Sequence, residues 1–231
     1  MPIKFANFAP VMKRLLSIAA SALCIACAPS KPELKTGDLF FVALPGDYKA
    51  EEDSMDSAIL ESTVSDELNL IHAGILEVAD DGVWVIDATL RHGADRHPLD
   101  TLFKDFMLKD GSMPIFMVKR LKSGYRQEFI ENAKALCGQP YDNAFLPDNG
   151  ALYCTELIRE SYRTPDGEFI FPEKPMNWKN SEGVIPPYWT WLFGLLGMEV
   201  PQDVPGTNPH DMAVLPILED VDIDLVSLRK D

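Results

Sequence analysis

Short apolar runs separated by polar turns dominate the first half of the chain and predict a sheet-forming region. The run "DLFFVAL" (38–44) is continuous and closed by a Pro-Gly turn, as in a buried strand. The stretch "IHAGILEVADDGVWVIDATL" (71–90) contains two apolar strands around Asp80-Asp81, which predicts a β-hairpin. The run "MPIFMVKRL" (113–121) predicts a further strand.

Helical spacing alternates with these strands. Ser54 is a suitable N-cap for a helix in "SMDSAILESTV", and 98–106 predicts a short helix or turn. The segment 125–138 is an amphipathic helix ended by Gly and Pro, and Cys154 begins the next helix. This order of elements predicts an α+β fold, with a mainly antiparallel sheet packed against helices.

The first residues carry an export pattern. A basic pair precedes the apolar run 15–26, which is too short to span a bilayer and ends in small residues. The sequence "LCIAC" resembles a lipobox, which predicts lipidation of Cys27; cleavage of a plain secretory signal is the alternative. We therefore expect a signal peptide with lipobox (1–27), a tether (28–36) and a single domain (37–231).

Export and lipidation predict a membrane-anchored lipoprotein of the bacterial cell envelope, on either the periplasmic or the surface side. The formal net charge is −15, so a nucleic-acid partner is not expected, because phosphate binding needs a basic surface. Outside the leader, the cysteines are Cys137 and Cys154, which are too few for a disulfide framework. They either pair with each other or leave a free reactive thiol.

Cys154 lies at the start of a predicted helix in "LYCTELIRESY" (152–162). A helix N-terminus offers unpaired N–H groups and a partial positive charge, which stabilise a thiolate and can bind an oxyanion. Cysteine is also a frequent core residue, so Cys154 is either core packing or a nucleophile. A nucleophile needs a base and a group that orients the base.

The hairpin offers that base and that orienting group. Asp87 lies in an apolar strand, where a carboxylate requires a partner. With a turn at Asp80-Asp81, Asp87 opposes Gly74 and His72 lies diagonally across from it on the same face of the sheet. His72 and Asp87 are therefore the predicted base and orienting acid, and Thr89, directly opposite His72, is the alternative orienting residue.

Five motifs carry a resemblance to a known family. In this order, "TGDLFFV", "IHAGILEV", "WVIDAT", "CGQPYDNAF" and "YCTELIRESY" resemble the permuted NlpC-type papain-like cysteine hydrolases of the YiiX and YaeF group, across about 36–215. The lecithin:retinol acyltransferase family is a more distant relative. The resemblance implies a permuted papain-like fold and a triad in which Cys154 is the nucleophile and His72 the base. Asp87 falls where the family usually has Glu.

Other polar and aromatic residues are weaker candidates. Tyr141 matches the family's G-x-P-Y-D motif and, like Tyr153, is a predicted substrate-binding residue; a packed loop aromatic is the alternative for Tyr141. His92 and His97 are predicted to lie in a solvated loop, because no cluster with metal-ligand spacing surrounds them. We accordingly expect neither a metal nor another cofactor.

The residues together predict an exported thiol hydrolase that cleaves amide bonds in small peptides or cell-wall fragments by a Cys-His-Asp mechanism. A lipid acyl hydrolase or acyltransferase with the same triad is one alternative. Under it, the aromatic stretch 186–198 would be a lipid-facing lid instead of core. A non-catalytic envelope binding protein that retains the fold is the other.

Overall fold

Residues 32–51, 54–63 and 69–229 are described by the computed structural model. The expectations for the signal peptide, for Cys27 and for the first part of the tether fall on residues 1–31 and lie outside the described residues. None of the helices in the described part of the chain is both long and apolar enough to cross a membrane.

Within these residues the strands form a six-stranded antiparallel sheet in the order β4-β3-β2-β1-β5-β8 and a separate two-stranded pair, β6-β7. The strands are β1 Asp38–Leu44, β2 Asn69–Ala79, β3 Gly82–Thr89, β4 Gly93–Pro98, β5 Ile115–Leu121, β6 Lys174–Pro175, β7 Pro205–Gly206 and β8 Leu218–Val221. The helices are α1 Met55–Ser62, α2 Leu99–Asp105, α3 Gln127–Leu136, α4 Cys154–Ser161, α5 Pro187–Leu195 and α6 Pro209–Ala213, followed by a 3-10 helix, Leu225–Leu228. The predicted α+β class and antiparallel sheet are confirmed.

The central strand β1 is buried on both faces, which explains its continuous apolar sequence. Its odd-numbered residues pack against Phe129 of α3 and Leu157 of α4. Its even-numbered residues pack in a second cluster with Phe103 of α2. The sheet is therefore covered by helices on both sides, and period-two alternation places successive side chains in different cores.

Two polar contacts attach β1 to the elements around it. The hydroxyl of Tyr162, just after α4, donates to the carbonyl oxygen of Gly37 at 2.9 Å. Asp38 is almost fully buried and accepts from Nε and Nη2 of Arg120 on β5, at 2.6 and 2.7 Å. This paired geometry satisfies a carboxylate that would otherwise be costly to bury.

The hairpin turn is found where the sequence predicts it. Ala79 pairs with Gly82 across the two-residue turn Asp80-Asp81. The structure differs at β4, because Gly93–Pro98, which were expected in a solvated loop, pair with β3. This strand is at the edge of the sheet, and its polar residues bond to neighbours that no local pattern identifies. Nε of Arg96 on β4, for example, donates to the carboxylate of Glu77 on β2 at 2.7 Å.

Candidate active site

His72 and Asp87 are joined by a hydrogen bond across the first hairpin. The Nε2 atom of His72 lies 2.8 Å from Oδ2 of Asp87, and both side chains are buried. The register of β2 against β3 produces this contact, because it brings both residues to one face. The geometry inferred from strand parity is therefore present.

Gly74 leaves the space in which this pair sits. A Cβ on Gly74 would lie 2.5 Å from the ring of Phe40 and 2.8 Å from Cβ of Asp87. The ring of Phe40 is 5.9 Å from the imidazole of His72, and Phe106 stacks on that imidazole at 4.6 Å. The two aromatic rings and the glycine thus restrict the imidazole to the orientation that faces Asp87.

Cys154 is the third residue of this group. It is the first residue of α4 and is 7% exposed, and its thiol lies close enough to the imidazole of His72 to help raise the pKa of that ring. Because Nε2 of His72 faces Asp87, the nitrogen that remains for the thiol is Nδ1. The first N–H groups of α4 have no partner within the helix, as at any helix start. Cys137 and Cys154 are both free in the structure.

The groups around His72 favour the protonated, charged form of its imidazole. Burial alone would lower the pKa of His72, but hydrogen bonds to Asp87 and Cys154, together with their charges, raise it to about 10. Burial opposes ionisation of Asp87, yet the hydrogen bonds and charges of His72 and His97 lower its pKa. Partial desolvation raises the pKa of Asp56 on α1, and the charge of His72 opposes this shift.

A second histidine, His97, forms a hydrogen bond with Asp87 that the sequence did not predict. The expectation of a solvated loop is wrong for His97, which is buried in β4 with Nε2 3.0 Å from Oδ1 of Asp87. Its Nδ1 lies 3.2 Å from the carbonyl oxygen of Pro98. Thr89, the alternative orienting residue, has a buried hydroxyl without a hydrogen-bond partner in the described structure. Asp87 is thus the residue found in contact with His72.

Glu156 stabilises the start of the helix that carries Cys154. Glu156 is the third residue of α4, the position from which the acid of a capping box reaches back to the N–H of the N-cap, here Tyr153, and this N–H lowers the pKa of its carboxyl. Asp142 is buried nearby and accepts from the N–H groups of Ala144 and Leu146, both at 2.8 Å. Burial, with the neighbouring charge of Asp142, raises the pKa of Glu156 to about 8. Glu156 is therefore mainly protonated at neutral pH.

We expect a Glu156→Gln variant to gain thermal stability relative to the natural chain as pH rises. The pKa of Glu156 is about 8 in the folded protein, against an ordinary value of 4.5. Ionisation of Glu156 therefore disfavours folding progressively between these pH values, whereas Gln has a similar shape and stays neutral. The difference in Tm between variant and natural chain should grow from pH 5 to pH 8 and then level off. Glu168→Gln, at an exposed position, is the control. A pH-independent difference would contradict the buried, protonated carboxyl.

Tyr141 and Tyr153 both line a pocket beside Cys154. The pocket encloses about 540 Å³, counting the solvent at its mouth. Its aromatic and aliphatic lining includes Ile59, Ile71, Phe145, Met176, Trp178 and Trp189. The hydroxyl of Tyr153 already accepts from the N–H of Thr207 at 2.9 Å, so its ring is the part available to a ligand. Their binding roles remain predictions.

The aromatic stretch 186–198 was expected to be either core or a lipid-facing lid, and it contains both buried and exposed residues. Trp189 and Phe193 of α5 are buried in a core cluster. Trp191 and Leu195 of the same helix are exposed, at 57% and 67%. Trp189 also lines the pocket beside Cys154, so the buried part of this stretch belongs to the core and the pocket wall, whereas Trp191 and Leu195 face outward.

The fold and the candidate site together define the class of protein. A thiol at a helix N-terminus, an imidazole from a strand and a carboxylate from the next strand are arranged as in papain-like thiol hydrolases, with the histidine first in the chain. A family model described as "permuted papain-like amidase enzyme, YaeF/YiiX, C92 family" matches residues 33–221, and the chain belongs to that family. It is thus a cysteine amidase or peptidase-like hydrolase.

A solved structure is similar in fold. The crystal structure of the metalloprotein YiiX from Escherichia coli O157:H7 matches with a TM-score of 0.63 and 21% sequence identity. The match covers 82% of this chain and 97% of that chain. No curated protein matches the chain significantly. The predicted resemblance to the YiiX group is confirmed.

Proposed function

We propose that Cys154 is the nucleophile of this amidase, that His72 is its base and that Asp87 orients His72. The observation that carries the proposal is the position of one imidazole between the thiol and the carboxylate. An orienting carboxylate fixes the ring and stabilises the imidazolium that forms during the reaction. The aromatic rings of Phe40 and Phe106 support the same ring orientation.

The reaction then follows from these contacts. His72 takes the proton of the Cys154 thiol, and the thiolate attacks the acyl carbon of the amide. N–H groups at the start of α4 stabilise the oxyanion. The C–N bond breaks as His72 returns the proton to the amine, which leaves a thioester on Cys154. Water attacks this thioester, His72 transfers a proton from the water to the sulfur, and the carboxylic acid is released.

For the substrate we propose a small peptide or cell-wall fragment, met at the bacterial envelope. The support is the export pattern of the leader, which predicts a membrane anchor through Cys27 and a tether to the domain. The substrate group next to the scissile bond would be apolar, because the pocket beside Cys154 is lined by aromatic and aliphatic side chains.

The same apolar pocket favours a second candidate. A lipid acyl chain next to an ester or amide would fit walls formed by Phe145, Trp178 and Trp189. The triad chemistry would be unchanged, with an ester oxygen as the leaving group or a second acceptor in place of water. The two candidates therefore differ in the substrate and not in the catalytic residues.

The test of the proposal is the rate at which iodoacetamide labels Cys154, measured by mass spectrometry against pH. At pH 5.5 an ordinary cysteine is about 0.1% thiolate, because its pKa is about 8.5. A histidine-paired thiol is largely ionised there, although each such thiolate is about 100-fold less nucleophilic. We expect labelling to fall by about 10-fold in His72→Ala at this pH.

Cys137 is the internal control for this experiment, because burial raises the pKa of its thiol and its labelling should be slow in both proteins. His210→Ala is the matched variant, since His210 lies on α6 and outside the triad. Slow labelling of Cys154 with an ordinary pH profile, unchanged by His72→Ala, would favour a non-catalytic binding protein and end the proposal.

A further inference from the structure

Three potential metal ligands converge behind the triad, on the far side of Asp87 from His72. They are Asp87 on β3, His92 in the turn before β4, and His97 on β4, and their ligand atoms all lie within 4.8 Å of one another. Asp87 and His97 are buried, and His92 is about four-fifths buried, with 20% of its side chain exposed. The cluster is part of the folded hairpin and is not a group of surface charges.

His92 has unused donor and acceptor capacity at this place. Both of its ring nitrogens are buried and have no hydrogen-bond partner within the described structure. The nearest carboxylate oxygen, Oδ2 of Asp105, is 3.4 Å from Nε2 and is also without a hydrogen bond. Buried polar atoms normally have partners, so the two nitrogens of this imidazole are available to bind a ligand.

His97 is oriented as a metal ligand would be. Its Nδ1 lies 3.2 Å from the carbonyl oxygen of Pro98, to which only an N–H can donate. Nε2 lies 3.0 Å from Oδ1 of Asp87 and donates to it, so a metal that displaces the Nε2 proton would find a lone pair directed at Oδ1. Metal-bound histidines usually donate their second N–H to a carbonyl or carboxylate in this way.

We propose that Asp87, His92 and His97 form a binding site for a divalent transition metal, with Zn²⁺ as the first choice. Two imidazoles and one carboxylate are a common donor set for zinc with an open position, which water would fill. Ligand atoms on a tetrahedral zinc are about 3.3 Å apart, so the His92 ring must move inward by rotation of its side chain. Its place in a turn allows this movement without disturbing the sheet.

The site would act on the triad through a shared carboxylate. Oδ1 of Asp87 faces His97, whereas Oδ2 faces His72, so the metal would replace the contact to His97 and leave the contact to His72. The proposal does not depend on Cys154 being a nucleophile, because none of the three ligands contacts the thiol. It also revises the expectation from the sequence that the chain binds no metal.

The test is Zn²⁺ binding to the full chain carrying Cys154→Ser, which removes the active-site thiol as a competing ligand. Zn²⁺ affinity is measured by competition with a chromophoric chelator, and stoichiometry by elemental analysis after dialysis. We expect His92→Gln and His97→Gln to weaken binding by at least about 100-fold, the upper range for loss of a supporting group around a metal. His210→Gln is the matched control and should bind as the parent does.

A second measurement does not depend on the folding of the variants. Zn²⁺ is added to the parent labelled with ¹⁵N in its histidines, and the ring signals are followed by NMR. The signals of His92 and His97 should shift together up to one equivalent, whereas that of His210 should not. The proposal would be overturned if the parent did not bind Zn²⁺ or if both variants bound it as tightly as the parent does. NMR shifts confined to the other histidines would also overturn it.

Discussion

Replacing Cys154 by alanine is expected to lower kcat/KM for amide hydrolysis by at least about 10,000-fold. Loss of a catalytic nucleophile removes the covalent route altogether, and in serine proteases it costs about a million-fold. The residual rate would come from binding and from the N–H groups at the start of α4. Cys137, the other thiol in the described part of the chain, is not among the residues that line the pocket.

The assay uses fluorogenic amides of short peptides that vary in the residue next to the scissile bond. We expect large apolar residues at that position to be preferred over glycine, because the pocket beside Cys154 is aromatic. Acyl esters presented in vesicles test the second candidate with the same variants. Cys137→Ala, a change in the other free thiol, should retain activity. Full turnover by Cys154→Ala on any substrate of the natural chain would contradict the mechanism.

Replacing Asp87 by alanine is expected to lower the free energy of unfolding by about 3–5 kcal/mol, the usual cost of removing one partner of a buried charged group. Asp87 is fully buried and bonds to two buried histidines, so its loss leaves the Nε2 atoms of His72 and His97 without partners. Urea unfolding measures the change. Asp95→Ala is the matched control, because Asp95 pairs with Asp87 across the strands but is only half-buried.

Asparagine at position 87 should be tolerated far better. Its carbonyl oxygen can accept from His72, and its amide can donate to the lone pair of His97, whose other nitrogen faces the carbonyl of Pro98. Both histidines are then neutral, and the loss is limited to charge assistance, about 1–2 kcal/mol. If the alanine and asparagine variants were equally stable, Asp87 would not be held by these two hydrogen bonds.

Local patterns were sufficient for the elements that carry the triad. The bounds of β1 follow from its apolar run, and the turn at Asp80-Asp81 is fixed by the polar residues between two apolar strands. Because side chains alternate with a period of two, this turn alone determined that His72 and Asp87 share a face. The N-terminus of α4 was likewise predicted at Cys154.

Local sequence patterns did not predict that β4 is a strand. Its sequence is polar and short, and edge strands of this kind do not show the apolar alternation that identifies a strand. The burial of His97 depends on a carboxylate ten residues earlier in the chain, with which it is paired by the hairpin β3-β4. No property of "RHGADRHP" itself indicates that partner, so the residues were placed in solvent.

The sequence by itself determined the fold class, the hairpin register that joins His72 to Asp87, and, through the order of its motifs, the family. The fold class and the hairpin register depend on short-range periodicity and on one tight turn, and the family follows from the order of five motifs along the chain. The tertiary structure alone decided that the thiol reaches the imidazole, 82 positions earlier in the chain. It also decided that aromatic residues from separate segments enclose an apolar pocket beside the thiol and that His92 and His97 converge on Asp87. These contacts arise from the packing of elements distant in sequence, which no local pattern encodes.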